Sequence, residues 1–182
     1  MPDSRFRMAY LDWQKEYEQS AAMLYQAFAR MEDDGTVSST FYDGSVRTAE
    51  DFVQHLCRPG AMPFLLFWEN APAGVTWLNG VEGRTARGHF CLYRSVWGRR
   101  TTATLGRCIF ETMLGYRDAD GFMFDTILGL TPISQSLAWR LSMLCGAEKV
   151  GVLPNGAFIK ARGTTEDAVL TAATRGSLAK GK

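Results

Sequence analysis

The sequence predicts an α/β (α+β) domain on a mixed central sheet, and three observations predict it. Apolar segments of strand and helix character alternate along the chain. The middle holds three strand-like runs joined by short turns, which make an antiparallel meander. Residues 88–114, GHFCLYRSVWGRRTTATLGRCIFETML, then pass from a strand through a loop with two arginines into an amphipathic helix. That last order is a strand–loop–helix anion site, because a helix N-terminus offers unpaired N–H groups and positive dipole to a phosphate.

The elements follow in order. Phe6, Met8 and Tyr10 alternate with Arg5, Arg7 and Ala9, which predicts a strand over residues 5–10. Tyr17, Ala21, Leu24, Tyr25 and Phe28 recur at three- and four-residue steps, so residues 13–31 read as a helix with those side chains on its buried face. Gly35 closes it. Residues 35–47 show no periodicity and read as a long loop, with Phe41 and Tyr42 either plugging the core or shaping a substrate pocket. Thr48 and Asp51 form an N-cap pair for a short helix that buries Phe52, Val53 and Leu56 and stops at Arg58-Pro59-Gly60.

The meander runs from Phe64 to about Ser95, with turns at residues 70–74 and 82–84. A helix over residues 101–117 follows, with Leu105, Cys108, Ile109, Thr112 and Met113 inward. Residues 122–130 form a central strand by their apolar density. Thr131 or Ser134 caps a further helix to Cys145, with Leu137, Leu141 and Leu144 facing inward and Gly146 ending it. Pro154-Asn155-Gly156 is hairpin chemistry and predicts a closing hairpin over residues 150–161. A single domain thus occupies residues 1–161.

Residues 162–182 read as a basic tail, with at most a terminal helix over 165–179. Residues 160–182 carry five Lys/Arg against Glu166 and Asp167, a net +3, leaving −2 on the body of a chain whose total is +1. Such a balance gives no field to attract nucleic acid or an anionic membrane. The composition, 46% hydrophobic and 12% aromatic, is enough for a substantial core. Cys57, Cys91, Cys108 and Cys145 form no CxxC pair, and His55 and His89 are the only histidines, so neither a structural zinc site nor any other metal is expected. Free thiols, an N-terminus without a signal pattern and no apolar run of roughly 18 residues predict a cytoplasmic protein outside the membrane.

Two local motifs, with the order of elements, resemble the GCN5-related N-acetyltransferases (GNAT superfamily), as a divergent member. One is residues 135–147, where Gln135 stands for the family's Asn, Ala138, Leu141 and Gly146 match, and Ser142 stands where a Tyr is usual. The other is the pyrophosphate loop, where Arg99 takes the first position and Thr102 and Thr104 replace glycines. The resemblance covers residues 5–161. Some bacteriophage-associated proteins look alike.

The resemblance implies a GNAT-like fold and acetyl-CoA, or another acyl-CoA, as cofactor. It places the pantetheine arm on the strand end at Leu92, Tyr93 and Arg94, and the phosphates at Arg99, Arg100, Thr101, Thr102, Ala103 and Thr104, with Gln135 beside them. The two arginines would give charge-assisted hydrogen bonds, and a threonine hydroxyl would add a donor. The acceptor is an amine of a small molecule or a protein, and a homodimer is compatible with the resemblance.

Catalysis needs an amine deprotonated before attack and an acid for the leaving thiolate. At the acid position Ser142 is a poorer acid than a phenol. The family's base positions fall at Gly88 and Phe90, which do not titrate. His89 has the right ordinary pKa, yet strand alternation turns it from the face of Gly88 and Phe90. Asp125, inside an apolar strand, is either a buried base or a structural partner of neighbouring backbone. Trp97 and Trp139 pack the core or line the acceptor pocket. An alternative is a catalytically degenerate interaction or assembly protein of the same fold, to which the lost glycines and Tyr point. A third reading is another nucleotide binder using Arg99 and Arg100.

Overall fold

In a computed structural model, which describes residues 2–180, the elements are β1 (Phe6–Tyr10), α1 (Tyr17–Asp33), α2 (Val37–Thr40), α3 (Ala49–Leu56), β2 (Met62–Trp68), β3 (Ala71–Glu82), β4 (Thr85–Leu92), α4 (Arg99–Gly115), β5 (Arg117–Asp118), β6 (Gly121–Phe122), β7 (Thr126–Pro132), α5 (Ser136–Leu144), β8 (Glu148–Ile159), β9 (Thr164–Thr174) and α6 (Arg175–Lys180). Seven strands form one mixed sheet in the order β1-β2-β3-β4-β7-β9-β8, with β5 and β6 as a separate small ribbon. Only β4 and β7 pair in parallel.

Period-two alternation sends the strand residues to two cores. Phe64, Leu66 and Leu78 meet Leu105, Ile109 and Met113 of α4 on one face. On the other, Val75 and Trp77 meet Leu24 and Phe28 of α1 and Phe52 of α3. Each such large side chain contributes about 1.5–3 kcal/mol by leaving water. The α3 cap is the predicted one: Thr48 Oγ1 accepts from the Asp51 N–H, and the Asp51 carboxylate accepts from the Thr48 N–H.

Several expectations are corrected. Tyr17 and Tyr25 lie on the solvent side of α1, whose buried face is Ser20, Ala21, Leu24, Ala27, Phe28 and Met31. The predicted long loop contains the one-turn helix α2. The helix α5 is also rotated from the expected face: Leu137 is 85% exposed and Leu144 is out, whereas Ser142 is buried. Its N-cap is Gln135, with no side-chain cap bond.

Pro154-Asn155-Gly156 makes a bulge inside β8 instead of a hairpin turn, since the register shifts between Leu153 and Ala157 and Asp167 of β9 accepts the Asn155 N–H. The chain turns later, at residues 160–163. The expected tail is therefore strand β9, residues 164–174, which pairs with β8 from Thr164 to Ala172 and with β7 from Ala168 to Thr174. Its small residues fit that place: Thr171 lies against Ser142 of α5 and Ala173 joins the core under α4, while Ala168 packs with Ala157 and Ile159.

Candidate functional site

The sheet splits along its one parallel seam. β4 and β7 are in register only from Thr85↔Thr126 to Arg87↔Leu128. Beyond that, β4 stays paired with β3 to Leu92, and β7 stays paired with β9 to Pro132. The two strands thus diverge as a wedge. Tyr93 donates its N–H to Ala73 O of β3 (2.9 Å), and Thr76 Oγ1 donates to His89 O (2.6 Å). By alternation Phe90 and Leu92 turn their backbone polar groups the other way, into the wedge.

The wedge is closed at its narrow end by Gly88, where a Cβ would stand 2.6 Å from Ile127 Cγ2. At its wide end lie a single 3-10 turn, Arg94–Val96, and the start of α4. The first turn of α4 has no side-chain N-cap, so the N–H groups of its first residues point outward with the positive end of the dipole. Arg99 and Arg100 are exposed there, with no acid partner among the described residues. Thr101, Ala103 and Thr104 are half-buried. Thr102 is committed to the loop: its Oγ1 accepts from the Gly98 N–H (3.0 Å) and donates to Val96 O (3.3 Å). A cross-loop bond therefore takes the hydroxyl that the sequence reading assigned to phosphate.

Side chains also engage two groups at the strand end. Trp97, 54% exposed, donates its indole N–H to Leu92 O at 2.8 Å, and Arg94 stacks 5.4 Å over its ring. The Arg94 N–H donates to Asp34 Oδ2 at 2.7 Å. Trp97 is neither core nor pocket lining, which corrects its expected role. Trp139 is half-buried between Arg140 and Lys149.

Helices α4 and α5 frame one side of the wedge. They meet where a Cβ on Gly106 would lie 2.3 Å from Cys145 Sγ, and burial pushes the Cys145 thiol up to about 12, so it stays protonated. Ser142 faces the sheet beside Gly129, the first β7 residue past the seam. Its Oγ lies 3.3 Å from Thr171 Oγ1, and Thr171 donates to Gly129 O at 3.5 Å. Gln135 ties the start of α5 to the α2 segment through Nε2 to Ser39 O (2.8 Å).

Asp125 is not a buried base. It precedes β7, is about half exposed and pairs with Arg175, because the predicted strand begins four residues later than its apolar run. His89 faces the α1–α3 layer as strand alternation requires, stacked 4.9 Å over Trp77, with Nε2 3.1 Å from Asn79 Oδ1. Burial, then His55 and Arg87, lower its pKa to about 4, so the imidazole is neutral at pH 7. Burial likewise raises the Tyr93 phenol well above its ordinary value. Among the described residues no group of three or more His, Cys, Asp or Glu is arranged to hold a metal ion, and no helix is long and apolar enough to cross a membrane.

A cavity of about 530 Å³ opens between the end of α1, the 41–47 loop and the turn after β8, at the stretch expected either to plug the core or to shape a pocket; Phe41 and Tyr42 both line it. Its only sequence signal was the polar, aperiodic stretch 35–47. A smaller one, about 280 Å³, lies at the far end of α4, between Leu114 and α6.

No protein-family model matches the sequence, and no characterised protein matches it by sequence. Solved structures do match by shape. A RimL ribosomal L7/L12 alpha-N-protein acetyltransferase in complex with coenzyme A superposes with a TM-score of 0.70 at 14% identity, over 96% of both chains. The microcin C7 self-immunity acetyltransferase MccE, in complex with acetyl-CoA and AMP, gives 0.68 at 14%, over 94% of this chain and 93% of that one. The spermidine N-acetyltransferase from Vibrio cholerae, in complex with CoA and spermine, gives 0.67 at 13%, over 97% and 99%. At such identity the likeness concerns the fold: this chain has the GNAT fold.

Proposed function

We propose that the protein is an acetyl-CoA-dependent N-acetyltransferase acting on an amine, and one observation carries the reading. The parallel seam opens after Arg87 and Leu128 into a wedge that bares backbone polar groups of β4 and leads to a helix N-terminus without a side-chain cap, where Arg99 and Arg100 have no acid partner among the described residues. An extended, amide-bearing arm ending in a diphosphate fits that sequence of groups, as an added strand followed by an anion on a helix end.

The coenzyme, when bound, supplies an activated thioester. The chain's own residues do the rest. Phe90 and Leu92 present N–H and C=O groups to the arm. Arg99, Arg100 and the first N–H groups of α4 neutralise the phosphates. Ser142 stands beside the opened part of β7 and is the candidate to hydrogen-bond a departing sulfur, by exchanging its bond to Thr171.

Acetyl-CoA at millimolar concentration is expected to raise the melting temperature, since a ligand of the folded state alone must do so. Replacing both Arg99 and Arg100 by Ala should weaken that binding by at least about tenfold, each charge-assisted bond being worth about 1.5 kcal/mol or more. Absence of any melting shift with acetyl-CoA, where ATP or NAD gives one, would instead select a different nucleotide.

Trp97 competes for the strand. Trp97→Phe keeps the ring but deletes the N–H on Leu92 O, so coenzyme A is expected to bind about fivefold more tightly, in line with one net hydrogen bond. Isothermal titration of both proteins measures this; equal or weaker binding by the variant would show that the Leu92 carbonyl is not used.

A second reading, the non-catalytic interaction protein of the same fold, is favoured by the burial of Ser142 and its bond to Thr171. Coenzyme binding without acetylation of any amine, and no change on Ser142→Ala, would select it.

A further inference from the structure

The 530 Å³ cavity is tied to the wedge from several sides. The Lys160 N–H donates to Tyr42 O at 2.9 Å, which fixes the turn after β8 against the loop. Asp34, at the end of α1, holds the Arg94 N–H, and Ser39 is held by Gln135. Phe41 lines the cavity and stacks on Trp77 at 5.6 Å, and Trp77 stacks in turn on His89 of β4. Its volume lies in the usual range of small-molecule sites.

The cavity's charge is positive. Arg47 and Lys160 line it, and neither pairs with a carboxylate side chain among the described residues. Arg94 reaches it too: its Nη2 lies 3.9 Å from where a Cβ on the lining residue Gly35 would stand. The stem of Lys160 crosses Gly44, where a Cβ would be 2.8 Å from Lys160 Cγ. Both glycines have positive φ, +67° and +73°, so a side chain at either is strained, and at residue 44 it would also displace the stem of Lys160. Glu32 is the one carboxylate in the lining. Asp34 is engaged by Arg94, and Asp43 accepts from Ser45.

We propose that this cavity receives the acceptor by an anionic group, so that the substrate is a small primary amine bearing a carboxylate or phosphate, gripped by Arg47, Lys160 and Arg94. The assignment of an acceptor rests on the acetyl-transfer reading. The amine nitrogen forms a bond to the acetyl carbon, the carbon–sulfur bond breaks, and the proton lost by the nitrogen ends on the coenzyme thiol. A polyamine would meet three cations and a single carboxylate.

The test compares ω-amino acids of three to six carbons and O-phosphoethanolamine with amino alcohols and diamines of equal length. Two readouts are used: the melting shift given by each amine, with and without acetyl-CoA, and release of free thiol. The anionic members are expected to bind, and to give kcat/KM at least about tenfold above the amino alcohols, a difference of about 1.4 kcal/mol. The carboxylate and phosphate arms identify which anion is preferred. In Arg47→Gln/Lys160→Gln, checked for folding by circular dichroism, the preference should vanish while the acetyl-CoA melting shift persists.

Diamines or amino alcohols performing as well, no panel member binding, or a variant that keeps the preference would each overturn the proposal. If acetyl-CoA fails to bind but the anionic amines bind through Arg47 and Lys160, the acetyl-transfer reading falls and the cavity's anion preference stands.

Discussion

Gly74→Val is expected to destabilise the protein by about 3 kcal/mol and to abolish coenzyme binding. Gly74 is buried on β3 directly opposite Leu92, the last residue of β4. A Cβ there would lie 2.3 Å from Cys91 O and 3.0 Å from Leu92 Cα. Those are backbone atoms, so no rotamer change relieves the clash, and overpacking of this kind typically costs 1–3 kcal/mol. Relief requires the end of β4 to move, and that end presents the Leu92 groups to the wedge.

Urea denaturation and the acetyl-CoA melting shift measure the two effects. Gly74→Ala, with one methyl, should show about half the loss if the valine variant does not fold. Gly88→Ala is the contrasting case: its Cβ would lie 2.6 Å from Ile127 Cγ2, a side-chain methyl and not backbone, so a shift of one buried side chain relieves it and a smaller loss is expected. Wild-type stability for both Gly74 variants would overturn the Gly74↔Leu92 register.

The second large effect is on acid stability. Burial, ahead of repulsion from His55, Arg87 and Arg58, lowers the His89 pKa to about 4 from its ordinary 6.5, with Asp43 acting weakly the other way. Above pH 6.5 the ring is neutral folded and unfolded, so His89 makes stability independent of pH there. As pH falls from 6.5 toward 4, the unfolded chain takes up a proton that the folded chain refuses, and stability falls. Below about 4 both states are protonated and the loss stops growing, at about 3 kcal/mol.

His55, lowered in the same direction by burial and Arg58, adds to it. His89→Gln is expected to be less stable than wild type at pH 7.5, having lost the stack on Trp77. Its deficit should shrink by about 2–3 kcal/mol by pH 4.5. Denaturation midpoints at both pH values measure this, and parallel curves would show that the ring is not held neutral.

Much of the fold was legible because its signals are local. The Thr48–Asp51 capping box lies within four residues and formed as read. The meander and the strand–loop–helix came out as β2, β3, β4 and α4, to within a few residues. His89 faces as alternation demanded. Where a reading depended on what lies across the sheet, it failed. Asn155-Gly156 is hairpin chemistry, but the side chain of Asp167 and continued pairing with β9 absorb it as a bulge. Helix α5 carries Ala138, Trp139 and Met143 on the faces that its three leucines leave, so its pattern does not name a buried side, and the side that meets β9 is the one where Ser142 lies 3.3 Å from the Thr171 hydroxyl. β9 read as a tail because Ala and Thr bury little apolar area, though small residues are what a strand packed beneath helices needs.

The site divides in the same way. The sequence alone determined that a strand end, two arginines and a helix start follow one another, since a helix N-terminus needs only the chain that enters it. Only the tertiary structure decided that β4 and β7 part after Arg87 and Leu128, that Trp97, Asp34 and Thr102 occupy groups expected to be open, and that Arg47, Lys160 and Arg94 gather around one cavity. Hydrogen-bond pairing between strands, and charges brought together from residues 47, 94 and 160, are properties of distant segments. No local periodicity encodes them.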